Sequence, residues 1–266
     1  MLLSRLNHFI MLFHILNVSG AFMKKPYIFA HRGAMGYEIE NTLASFKTAV
    51  EMGAGIESDI RLTADKRLVC FHDASFQIGD KWHSINNLTC KELKTISFPD
   101  NRKVPHLRDV FQEFDSGCKN LRYSFDIGSR KAALGIISLA KKFKILDKIE
   151  ITDTSDKVLY SIRRKDKEVN LVLSVPYHIT EINQNTVNFE KLKDHNINVL
   201  NLKSNRAKEK NFRNIIDHGF KCYVWNINGK GRMKKTLRLR YKDEIVSAMY
   251  TNYPDVLIEI RDNFFS

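Results

Sequence analysis

Scarce cysteine, no long apolar run past the start of the chain and a shortage of acids are the first constraints. The cysteines, Cys70, Cys90, Cys118 and Cys222, are widely spaced and form no CxxC pair, which excludes a zinc knuckle and a dense disulfide framework. Reduced, mostly buried thiols are the expectation. After Met23 no window of about 18 apolar residues occurs, so no membrane-spanning helix is expected in the body. No linker or internal repeat interrupts residues 23–266, and 266 residues with 43% hydrophobic content are enough for one domain around one sizeable core. Asp and Glu total 30 against 43 Lys and Arg, a formal charge of +13 that favours anionic partners. A phosphorylated small molecule or a peripheral anionic membrane surface fits that field. Nucleic acid does not, because no recognisable motif or interleaved aromatic platform accompanies the charge.

Residues 1–22 read as a separate N-terminal extension. Phe9 to Val18 is a short apolar run between Arg5 and Ser19-Gly20-Ala21, loosely like a secretory leader, but His14 and Asn17 interrupt it. Met23-Lys24-Lys25-Pro26 looks like an ordinary start just before a strand. The expectation is an extension or weak surface-associating leader on a cytoplasmic protein; the alternative is a cleaved signal on an exported one.

From Met23 onward, short β-rich runs alternate with amphipathic helical stretches, as a parallel α/β fold requires. Core strands are predicted at Tyr27–His31, Gly55–Ile60, Leu121–Ile127, Lys148–Thr152, Asn170–Val175, Asn198–Leu202, Phe220–Asn226 and Ser247–Thr251. Helices are predicted at Thr42–Met52 after an Asn41 cap, Val104–Glu113, Arg130–Phe143, Ser155–Arg164, Phe189–His195, Ala207–His218 and Gly231–Leu239. Eight such strands with helices between them make a (β/α)8 TIM barrel the preferred architecture, with an open doubly wound sheet as competitor. A ninth extended run, Arg67–His72, follows Ile60 too closely for a helical crossover, so a β-hairpin extension after the second strand is predicted. Turning at Ala64-Asp65-Lys66 sets Arg61 opposite Val69 and Phe71 opposite Asp59, with His72 beside it. Basic residues from Lys230 to Arg240 read as a solvated helix face.

The hairpin ends carry the chemistry. Glu57 and Asp59, two apart on a strand, share one face, and an inward pair of acids needs a cation or hydrogen bonds to satisfy it. His31 ends the first strand and is followed by Arg32. Two histidines, two carboxylates and an arginine suit metal-assisted attack on a phosphate ester, since acid, base, cation and phosphate clamp are all represented.

His31-Arg32-Gly33, then Glu40-Asn41-Thr42, Gly53-Ala54, Ile56-Glu57-Ser58-Asp59, Thr63-Ala64-Asp65 and His72-Asp73, resembles the signature of the glycerophosphodiester phosphodiesterases. Sparser matches follow at Pro105–Val110, Ser124-Phe125-Asp126, Val224–Asn228 and Thr251–Pro254. The resemblance implies a TIM barrel hydrolysing glycerophosphodiesters, or lysophospholipids in the manner of a lysophospholipase D, with one divalent cation, calcium or magnesium. It places the metal on Glu57, Asp59 and Asp126. His31 and His72 are implied as general base and general acid, and Arg32 as the phosphate clamp, oriented by Glu40. Asp126 also reads as a cap for the Arg130 helix. Trp225 reads as either a core aromatic or a wall of the substrate pocket. The sequence departs from the family at Ile39, usually proline; at Asp126, usually glutamate; at Gly128, often lysine; and at Asn252, usually aspartate. Arg130, Lys131 or Lys203 are candidates to replace the cation missing at Gly128. These departures and the net charge motivate the alternative, a catalytically weakened barrel that binds phosphodiester headgroups or anionic membranes.

Overall fold

The computed structural model describes residues 24–114 and 120–266. The leader read over residues 1–22 and Cys118 lie outside the described residues. In chain order the strands are β1 (Tyr27–Ala30), β2 (Gly55–Leu62), β3 (Leu68–Cys70), β4 (Ser75–Ile78), β5 (Lys81–Ser84), β6 (Tyr123–Ile127), β7 (Ile149–Asp153), β8 (Asn170–Ser174), β9 (Val199–Lys203), β10 (Lys221–Trp225), β11 (Arg240–Tyr241), β12 (Glu244–Ile245) and β13 (Ala248–Thr251). The helices are α1 (Leu43–Glu51), α2 (Cys90–Thr95), α3 (Leu107–Phe114), α4 (Arg130–Phe143), α5 (Asp156–Arg163), α6 (Phe189–Asp194), α7 (Glu209–Asp217), α8 (Lys230–Leu237) and α9 (Pro254–Phe264).

Eight parallel strands run β1-β2-β6-β7-β8-β9-β10-β13 and return to β1, where Ala30 pairs with Thr251 on one side and with Ile56 on the other. The predicted barrel is therefore closed, and every predicted core strand is one of its staves. Strand alternation divides the side chains between two environments. Ile28, Ile56, Ile60, Phe125, Ile151 and Leu171 face outward into the large core beneath the helices. Phe29, Val172, Tyr223, Ala248 and Tyr250 fill the lumen as a second cluster, with Tyr27, Val199 and Trp225 packed against it. Below them, Glu150 accepts from Arg122 and, at 3.0 Å, from the Tyr223 hydroxyl, and Ser124 Oγ lies 3.0 Å from Tyr250 Oη. The lumen is thus packed, and its floor is bonded shut.

β3 lies antiparallel to β2, with Arg61 opposite Val69, and the Phe71 N–H donates to the Asp59 carbonyl at 2.9 Å. After it the chain leaves the barrel. The β4–β5 hairpin and α2 fold over Phe71, Phe76 and Phe98, whose rings lie 5.0–5.8 Å apart, on a small separate core with Val69, Ile85 and Leu93. The predicted Val104–Glu113 helix begins only at Leu107, because the chain before it is extended and His106 bridges Val69. Thr42, not Asn41, caps α1: its hydroxyl accepts from Ser45 N–H, and Asn41 turns elsewhere. Likewise Ser129, not Asp126, caps α4. On α8 Lys230, Arg232, Lys234 and Lys235 are all exposed, the solvated face expected of them. Cys70, Cys90 and Cys222 are free and buried. Among the described residues no helix is long and apolar enough to cross a membrane.

Phe111 joins α3 to the barrel: fully buried, its ring lies 5.3 Å from Tyr123, 6.0 Å from Phe125 and 5.6 Å from Phe143. Phe111→Ala is expected to cost roughly 3–5 kcal/mol in urea unfolding, the usual penalty for deleting a buried ring.

Candidate active site

A tight turn at the end of β1 builds the first part of the site. Arg32 and Gly33 both take left-handed backbone, φ 52° and 76°. Glycine suits the second position on two counts: a side chain there is strained at that φ, and a Cβ would lie 2.3 Å from Ser45 Oγ. At Arg32 the same conformation costs of order 1 kcal/mol or more, so it must be held in place. Ser45 Oγ and the Asn41 N–H donate to the Arg32 carbonyl at 3.0 and 2.9 Å, and the Arg32 N–H donates to Glu57 Oε2 at 2.7 Å. The turn locks the start of the loop onto the first acid of β2.

The guanidinium of Arg32 is oriented by two acids. Nη1 donates to Glu40 Oε2 at 2.6 Å, and Nε lies 3.3 Å from Asp59 Oδ2 without hydrogen-bonding geometry. That buried N–H has no acceptor, which is expensive unless an anion arrives to take it. Glu40 is itself held from the far side by Arg102, 3.6 Å away and fixed to Asp100 at 2.6 Å. Asn41 serves the site rather than the helix: Nδ2 donates to Asp59 Oδ2 at 3.1 Å, while Oδ1 accepts from Ser58 Oγ at 2.6 Å.

Strand pairing assembles the acids. Glu57 is opposite Ser124 and Asp59 is opposite Asp126 across β2 and β6, so all three acids share the lumen face at the C-terminal mouth. Glu57, Asp59 and Asp126 each offer an oxygen within 4.8 Å of the others. Two oxygens facing each other across a calcium ion at about 2.3–2.6 Å would be about that far apart, so the shorter Asp126 still completes the set. Burial, then the Asp59 and Asp126 charges, push the Glu57 carboxyl well above the usual carboxylate range. Desolvation, then Asp59 and Asp153, push Asp126 up to about 7, although it sits at the open mouth. An all-oxygen donor set with uncompensated negative charge is what a hard divalent cation requires.

Both histidines are tethered through Nδ1. His31 Nδ1 lies 2.9 Å from Asn252 Oδ1, and His72 Nδ1 lies 2.8 Å from Asp73 Oδ1, which leaves Nε2 of each ring for other work. Burial and then the Arg32 charge lower the His31 pKa, which favours the neutral ring. Trp225, which the sequence left between core and pocket, stands on the lumen face at the mouth. Its ring meets exposed Tyr177 edge-on at 5.9 Å, and Lys203 Nζ lies 5.3 Å from the one and 4.9 Å from the other. Arg130 and Lys131 are exposed at the start of α4.

Every residue singled out from the sequence is thus on one side of the barrel. Asn41, Arg102, Asp153 and Tyr177 were not assigned to the site. Asn41 was legible only as a helix signal, and nothing local marks Arg102, whose place depends on how residues 74–105 return.

The Glycerophosphoryl diester phosphodiesterase family matches the chain over residues 31–256. A glycerophosphodiester phosphodiesterase of Bacillus subtilis is 24% identical, covering 88% of this chain and 86% of the relative. A lysophospholipase D of Mus musculus is 22% identical over the same shares, 88% and 86%. Among solved structures, an Oleispira antarctica phosphodiesterase in complex with the product sn-glycerol-3-phosphate superposes with a TM-score of 0.75 at 19% identity, covering 90% of this chain and 97% of that one. The motif run along β1, β2 and β3, the closed eight-stranded barrel and the family match together show that this chain belongs to the glycerophosphoryl diester phosphodiesterase family and is a phosphoric diester hydrolase.

Proposed function

We propose that the chain hydrolyses glycerophosphodiesters to a phosphomonoester and an alcohol, using one divalent cation on Glu57, Asp59 and Asp126 and two histidines for proton transfer. The observation that carries this reading is the crowding of those acids within 4.8 Å beside Arg32, whose buried Nε–H lacks an acceptor. When bound, calcium or magnesium supplies charge neutralisation and polarises a phosphoryl oxygen. Arg32, held by Glu40, binds the phosphate. His31 is suited to the base: neutral, with Nδ1–H donated to the Asn252 amide oxygen, its Nε2 lone pair takes the proton of the attacking water or hydroxyl. His72, beside the Asp73 carboxylate, returns a proton to the departing alkoxide. Attack by water gives the phosphomonoester directly, and attack by a neighbouring substrate hydroxyl gives a cyclic phosphate first. Phosphorus NMR of the products separates the two.

Lysophospholipids are the second substrate class, supported by a groove of about 770 Å³ beside Glu40 and lined by Ile39, Leu43, Ile96, Phe98, Arg102 and Val104. Its apolar side chains suit an acyl chain, and the mouse relative is named for activity on such lipids.

With calcium supplied, turnover of glycerophosphocholine or lysophosphatidylcholine is expected, and loss of it in chelator. Persistence of the rate in chelator would remove the cation from the reading, and chelator-insensitive liposome binding without turnover would favour a binding protein instead. His31→Ala and His72→Ala should each lower turnover by about 10²–10⁴-fold while calorimetry still shows calcium binding; Glu57→Ala should weaken both.

The acids also set a pH dependence. A carboxyl whose folded pKa is raised holds its proton more tightly folded than unfolded, so its contribution to stability is present at low pH and is lost as pH rises towards the folded value. For Asp126 that window runs from its ordinary 3.8 to about 7. In chelator, melting temperature should therefore fall with rising pH across that window, and Asp126→Asn should melt higher than wild type at pH 8. Calcium should reverse the ranking, stabilising wild type and not the variant.

A further inference from the structure

Gly128, at the end of β6, is exposed, and its φ lies outside the left-handed region. Its backbone therefore imposes no need for glycine. What a side chain would meet is a neighbour that would have to move: a Cβ there would lie 2.5 Å from Arg61 Nη1 and 2.9 Å from Arg61 Cδ. Arg61 comes from β2, two residues past Asp59 on the same face, and its side chain crosses over Gly128. There the guanidinium grips one atom, the main-chain oxygen of His72, with Nε donating at 3.0 Å and Nη2 donating to the same oxygen. The Gly128 N–H in turn donates to the Ile60 carbonyl at 3.1 Å, so β2, β6 and the end of the hairpin are tied at one point.

We propose that Arg61 is a positioning residue for His72, and that position 128 is glycine so that the guanidinium can reach it. This rests on the reading of His72 as general acid. His72 lies just past the last paired residue of β3, Cys70, and its side chain is about 40% exposed, held by its own neighbour Asp73. A ring so placed keeps its direction only if its backbone is fixed, and two charge-assisted donors on one carbonyl provide that. Displacement of a catalytic group by about 1 Å is enough to cost about 100-fold in rate.

A general acid matters in proportion to how poor the leaving group is, so the test uses two substrates with the cation supplied. Glycerophosphocholine expels a poor alkoxide, whereas bis-p-nitrophenyl phosphate expels a stable phenolate. Arg61→Ala is expected to lower kcat on glycerophosphocholine by about 10- to 100-fold with KM within about twofold, and to lower the rate on the nitrophenyl diester by no more than about threefold. Arg61→Lys, which keeps a single donor, should recover part of the loss. Gly128→Ala, which displaces the guanidinium at no backbone cost, should show the same selective loss with an unchanged melting temperature. It keeps the proposal open to refutation even where the Arg61 variants fail to fold. Equal losses on both substrates, or a Gly128→Ala protein with wild-type rates on both, overturn the proposal. His72→Ala is the control: equal losses there overturn the general-acid reading itself and the positioning role with it. Selective loss in His72→Ala without it in Arg61→Ala overturns the positioning role alone.

Discussion

Asp59 and Asp126 are register partners, and Glu57 shares their face one step down β2. Backbone pairing thus forces three acids into a space where none gains from the others. Everything at the mouth is arranged around that repulsion. Arg32 enters from β1 in a conformation that few arginines adopt, its N–H on Glu57 and its guanidinium against Asp59. Asn41 abandons the helix end to donate to Asp59. Burial first, and then the neighbouring acids, raise the pKa values of Glu57 and Asp126. A divalent cation on Glu57, Asp59 and Asp126, as proposed, would relieve that repulsion.

The four departures from the family pattern have different consequences once placed. Asp126 keeps its oxygen within reach because β6 carries it level with Asp59. Asn252 still accepts from His31, but as a neutral amide it offers no charge to a protonated ring, in keeping with the lowered pKa of His31. Ile39 is half-turned to solvent on the wall of the groove. Gly128 makes room for an arginine from the neighbouring strand.

Local pattern made most of this legible. Strands alternate and helices repeat over a few residues, so all eight barrel strands could be read, and the acids and histidines lie in one dense stretch. What could not be read depended on competition or on long paths. Asn41 and Thr42 are both competent caps, and only the fold shows that Thr42 took the helix. Arg102 reaches Glu40 after an excursion of about thirty residues whose aromatic core of Phe71, Phe76 and Phe98 has no periodic signature. The last helix, α9, went unread even though Pro254 stands at its first turn, where proline is favoured, and Leu257 follows at helical spacing into the core.

The aromatic floor of the lumen has its own consequence. Phe29, Tyr223 and Tyr250, the two tyrosine hydroxyls bonded to Glu150, Arg122 and Ser124, make the barrel a cup and not a tube. Substrate and products must share one doorway. On the proposed mechanism, a phosphomonoester still held at Arg32 would stand in the way of the next molecule, and its release would bear on throughput.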